Sequence, residues 1–72
     1  MKHYLIVTRD GQSGYVASTH SSYDLAAKAA SRVGNRLYSG QRTIIAHQFI
    51  HLPKQSDVEY NQILGMWVNV NG

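Results

Sequence analysis

Seventy-two residues with a net charge of +3 and a pI near 9.5 set narrow limits. A chain of this length buries only about 60% of its unfolded surface, so a single domain over residues 1–72 with slender stability is expected. It has no cysteine, which removes disulfides and thiolate metal sites, and no apolar run approaches the ~20 residues that cross a bilayer.

The amino terminus also lacks a signal-peptide core, so a cytoplasmic protein is expected. Charge is uneven along the chain: Lys2, Arg9, Lys28, Arg32, Arg36, Arg42 and Lys54 face only Asp10 and Asp24 in the first 54 residues. Asp57 and Glu59 are the only charges beyond them. Such asymmetry suits a polyanion or an acidic partner.

Residues 2–9, KHYLIVTR, form the first expected strand, rich in β-branched and aromatic residues and apolar on both faces, hence central. Asp10-Gly11 signals a hairpin, lengthened by Gln12, Ser13 and Gly14. A second strand, 15–19, pairs back antiparallel and delivers the chain to a helix over 21–34.

That helix, SSYDLAAKAASRVG, carries the fullest set of signals. Ser21 or Ser22 caps its start, with Asp24 in capping-box register to Ser21, and Gly34 is placed to end it in a left-handed turn. Leu25, Ala26, Ala29, Ala30 and Val33 make one apolar stripe at helical spacing. Lys28 and Arg32 stand at i, i+4 on another face, and Arg36 extends the row if the last turn continues. Like charges at that spacing cost a few tenths of a kcal/mol, so local stability does not account for the row.

Beyond a turn over 35–40, residues 42–51 read as a third strand, 52–61 as a connection around the sole proline, and 62–70 as a fourth strand with Gly65 marking a bulge or a close approach. The expected fold is α+β: one helix packed on a twisted four-stranded antiparallel sheet, order ββαββ. Its core would join the helix stripe to Ile6, Ile44 or Ile45, Phe49, Leu64, Val68 and Trp67. At least two of Tyr4, Tyr15, Tyr38, Tyr60 and Trp67 should be exposed.

Catalytic chemistry finds little support. His47 and His51 share a strand face but lie about 13 Å apart at ~3.3 Å per residue, too far to bind one metal unaided. The four carboxylates form no pair with a structural reason for separated pKa values. A non-enzymatic binder without cofactor or metal is expected. Lys28, Arg32, Asn35, Arg36 and Arg42 suit phosphate contacts, and Tyr4 and Tyr15 suit a protein interface. A solvated helix face is the plainer account of the basic row.

The run S-x-x-x-x-A-x-K-x-A-S-R from Ser21 to Arg32, followed by Tyr38, Gly40 and the β run Thr43-Ile44-Ile45, resembles small phage-encoded anti-CRISPR proteins acting on type I, especially type I-F, surveillance complexes. The first strand KHYLIV and last strand MWVNV are similar to theirs too. The resemblance implies an inhibitor that binds Cas protein subunits of a Cascade complex and blocks target DNA access or hybridisation. For Lys28, Arg32 and Arg36 it implies a role at the surface that target DNA occupies, and it brings non-specific binding of double-stranded DNA. The long 52–61 connection departs from that pattern. The alternative is a small phage or plasmid DNA-binding or regulatory protein acting alone through its basic helix face. Monomer and dimer both stay open.

Overall fold

The computed structural model describes residues 2–47 and 51–70. Six elements follow in the order β1 (His3–Thr8), β2 (Ser13–His20), α1 (Tyr23–Gly34), β3 (Arg42–His47), β4 (Asp57–Asn61) and β5 (Met66–Asn69). Every pairing is antiparallel, and the strands lie side by side as β3-β1-β2-β4-β5. The α+β class with one helix on an antiparallel sheet therefore holds. The sheet has five strands rather than four, and the order is ββαβββ rather than ββαββ.

The additional strand is β4, inside the stretch expected to be a connection. DVEYN is poor in strand formers, so its own propensity does not signal a strand. Pairing makes it one: Asp57–Glu59 meet Tyr15–Ser13 of β2 on one side, and Val58–Asn61 meet Asn69–Met66 of β5 on the other. The final strand starts correspondingly late. Gly65 sits in the β4–β5 turn at φ 69°, where its N–H donates to the Asn61 carbonyl at 2.7 Å, and is not a bulge. The bulge lies instead in β2 at Ala17, where the partners of Leu5 and Ile6 skip from Ser18 to Val16.

Strand β1 sits between β2 and β3 and is buried from Tyr4 to Thr8. Its alternation feeds two separate packing layers. Tyr4 and Ile6 join Val16, Leu52, Val58 and Trp67, with Ile44 and Ala46 packed alongside. Leu5 and Val7 face the other way, toward α1, whose Ala26 and Ala29 are buried. At that face the His3 ring meets the edge of Tyr23 at 6.4 Å. Ile6 and Trp67 thus lie across the sheet from the helix they were expected to meet, and Phe49 lies outside the described residues.

What covers the second face is the segment ahead of β4. Its Leu52 is fully buried. The Leu52 N–H donates to the Tyr4 hydroxyl at 3.2 Å, and that hydroxyl lies 3.5 Å from His51 Nδ1. Two further bonds fasten the segment to β2: Val16 N–H to the Ser56 carbonyl at 2.9 Å, and Gln55 N–H to the Val16 carbonyl at 2.8 Å. Tyr4, expected at an exposed interface, is accordingly only 1% exposed.

The helix starts at Ser22, whose hydroxyl accepts from the Leu25 N–H at 3.2 Å, so the Ser21–Asp24 capping box is not used. Leu25 is 46% exposed and Leu64 is also exposed, so neither joins the core. The docked stripe is Ala26 and Ala29, with Ala30 and Val33 half-buried. Gly34 does not turn left-handed. It ends the helix, and the chain stays right-handed through Asn35 at φ −75° while Arg36 N–H donates to the Val33 carbonyl at 2.8 Å.

Two changes in stability follow. Leu52→Ala should cost about 2–5 kcal/mol in urea unfolding, because a fully buried side chain leaves a cavity. Gly34→Ala should raise stability by about 0.5–1 kcal/mol, since a Cβ there meets nothing within 4 Å and the backbone is already helical. Had Gly34 been left-handed, the sign would be reversed.

Candidate functional site

The exposed basic row is a product of the helix and its unwinding end. Lys28 and Arg32 project from α1 one turn apart, and the right-handed continuation through Asn35 places Arg36 one turn further. All three side chains, and that of Asn35, are exposed. Asp24 stands four residues before Lys28, but no acid stands at i±4 to Arg32 or Arg36.

Arg32 and Arg36 also line a groove of about 290 Å³ beside Ala29, with Ala17, Ser18 and His20 forming its floor. The sheet explains the groove. β4 pairs with β2 only over Ser13–Tyr15, so past the Ala17 bulge the outer edge of β2 carries no strand among the described residues. The helix lies over that face and leaves a trough between its basic side and the free edge. On the floor, the Ser18 hydroxyl and His20 Nε2 are 2.6 Å apart. The sequence does not place either residue at such an edge, because nothing in YVASTH marks the bulge that frees it.

The other candidates lie elsewhere. Arg42 opens β3 opposite Thr8, with its guanidinium over the β1–β2 turn: a Cβ placed on Gly11 would come within 2.6 Å of Nη2. Strand β1 separates it from the groove on β2. Tyr15, 41% exposed, belongs to a second groove of about 550 Å³ that also takes in Ser13, Arg9, Asp57, Glu59 and Val70. Register puts Val7, Tyr15 and Asp57 in one row on the helix side of the sheet, with Glu59 two residues along from Asp57. The two grooves thus adjoin different halves of β2, one basic and one acidic. Sequence reading missed the acidic one because 57–61 was taken as connection.

The histidines are arranged as sequence spacing could not show. His3 pairs with His20 on one side and His47 on the other, so the three lie in a row across β2, β1 and β3. The rings of His3 and His47 are 5.1 Å apart and tilted by 40°. Among the described residues no group of three or more metal-binding side chains has the geometry to hold an ion.

The turn that carries Arg42's contact is held by Asp10. Its Oδ1 accepts from the N–H groups of Gln12 at 2.8 Å and Ser13 at 2.9 Å. Beneath it the Thr8 hydroxyl accepts from Gly11 N–H at 3.0 Å and donates to the Ser13 carbonyl at 2.6 Å. Gly14, which follows Ser13, admits no side chain, since a Cβ would collide with the Val7 carbonyl oxygen. Bonds from Gln12 and Ser13 to the ionised form hold the Asp10 carboxyl below its ordinary value of 3.8.

Compared with known proteins, the chain matches no family model, no curated protein and no solved structure.

The Asp10 turn sets an acid limit. A carboxyl whose pKa is lower folded than unfolded contributes stability that is fully present above about pH 4 and is lost as pH falls through the folded value. Asp10→Asn should flatten the acid limb of a stability–pH profile below that point, and urea midpoints taken between pH 2 and 6 would reveal it. An unchanged limb would mean that the turn bonds do not depend on ionisation.

Proposed function

We propose that this is a non-enzymatic binding protein of the anti-CRISPR kind, engaging a type I Cascade surveillance complex and obstructing its access to target DNA. The observation that carries the reading is the unbroken row Lys28–Arg32–Arg36, two of whose members overhang a groove at a free sheet edge. Guanidinium groups on a shallow trough match phosphate oxygens in charge and in hydrogen-bond geometry. The like charges slightly disfavour the helix, so an external anion gives the row a purpose that folding does not.

The second groove favours a protein partner over free-standing DNA binding. Asp57 and Glu59 beside Tyr15 would repel a phosphate backbone laid along β2. They complement the lysines and arginines that line a DNA channel. A protein of net charge +3 is poorly suited to imitate DNA as a whole, but one with an acidic patch beside a basic row can seat on the channel wall and turn the row toward guide or target strand. Obstruction is then steric.

Duplex binding by the row has a defined salt signature. Three neutralised phosphates give a slope of log K against log salt of about −2.7, and removing one side chain should make it shallower by about one unit on any sequence. Fluorescence anisotropy of Lys28→Ala and Arg32→Ala at several salt concentrations measures this. If neither variant alters affinity or slope, the row is merely solvated.

The partner reading separates from it by Asp57→Asn with Glu59→Gln. This pair should weaken capture of a surveillance complex in nuclease-treated pulldowns while leaving duplex affinity equal or higher. Capture that is indifferent to both acids would remove the second groove from the interface.

A further inference from the structure

Strand β3 ends the sheet, and its outer edge has no partner strand among the described residues. We propose that this edge pairs antiparallel with the same edge of a second copy, forming a two-fold dimer with one continuous ten-stranded sheet.

Edges of this kind are normally blunted by prolines, bulges, lysines or very short length. β3 has none of these defences. It pairs with β1 over all six residues without a register shift, so it is straight, and only Arg42 at its start is charged. β5, at the opposite side, has four residues. Ile44, Ile45 and Ala46 are all half-buried, although their β1 partners Ile6, Leu5 and Tyr4 are fully buried. Apolar area and backbone hydrogen-bonding groups are thus both left at the edge.

The sequence of β3 fits its own reverse. A two-fold axis normal to the sheet keeps each face on the same side, so partners must share parity. Centring the axis on Ile45 sets Ile45 against itself, Ile44 against Ala46 and Thr43 against His47. Arg42 falls outside these pairs, and no like charges of Lys, Arg, Asp or Glu meet. The Ile44 and Ala46 side then extends the layer around Leu52 across the dimer, while Ile45 extends the layer beneath the helix. A foreign strand would gain the backbone bonds, but this pairing also closes both apolar layers.

The dimer is weak and salt-strengthened. One strand pair with its flanks falls short of the roughly 1,200 Å² that stable complexes bury, so association needs high concentration. Each copy carries +3, and salt screens their repulsion. Nucleic-acid binding has the opposite salt dependence, so the two activities are separable on one axis.

The cysteine-free chain makes the register testable. Under mild oxidation Ile45→Cys should form a disulfide dimer about tenfold faster than Ile63→Cys, because cross-strand partners approach disulfide distance, and the rate should rise with salt. Ile63 is 96% exposed, so random collision predicts the reverse order, and that order or equal rates would overturn the proposal. Because the Ile45 substitution removes half-buried bulk, the unaltered chain is measured as well. Amides of alternate β3 residues should gain exchange protection from dilute to about millimolar protein, alongside a rise in sedimentation mass. Protection that does not depend on concentration in a monomer, or that appears only when another protein is added, would overturn it too.

Discussion

Burial of β1 on both faces is the constraint on which the rest depends. Tyr4 to Thr8 are covered above and below, so two layers must be supplied by a chain of 72 residues with one helix. The helix furnishes one layer cheaply, because Ala26 and Ala29 let its axis approach the sheet. The other has no second helix to draw on. It is closed by Leu52, held in place where its backbone N–H reaches the Tyr4 hydroxyl. A tyrosine in the middle of the sheet is well used there: its ring fills the layer and its hydroxyl satisfies a backbone donor that would otherwise be buried without a partner.

That second layer shapes the surface as well. Drawing 51–56 under the sheet brings the chain back beside β2, where the bonds between Val16 and the Gln55–Ser56 backbone lead into β4. β4 covers only the first part of β2. The Ala17 bulge and the uncovered remainder then make the trough under Arg32 and Arg36, while the covered part carries Asp57 and Glu59 beside Tyr15. Positive and negative patches follow from where one short strand stops. A protein with so little interior has few other ways to sort its charges.

Edges matter for the same reason. An open sheet has two, and a sheet assembled by hairpins around a central strand leaves one of them to β3. Its isoleucines, Ile44 and Ile45, are covered on the β1 side and stay only half-buried.

The helix, its basic row, the central character of β1 and the antiparallel α+β class were legible in the sequence, because each rests on local periodicity or on residue types within a few positions. A serine cap at 21 or 22, the i, i+4 spacing of Lys28 and Arg32 and the apolar faces of residues 3–8 need no distant contact to be read. Tertiary structure decided the rest. Tyr4 is core rather than interface because Leu52, far along the chain, lies on it. DVEYN is a strand because two neighbours lend it hydrogen bonds that its own propensities do not ask for. Arg42 stands apart from the basic row, and Tyr15 beside acidic neighbours, because strand order, fixed by long-range pairing, sets them there. Local pattern specifies which side a residue faces relative to its own element; only the packing of elements specifies what stands opposite, and that opposite partner determines whether a side chain is core, groove or edge.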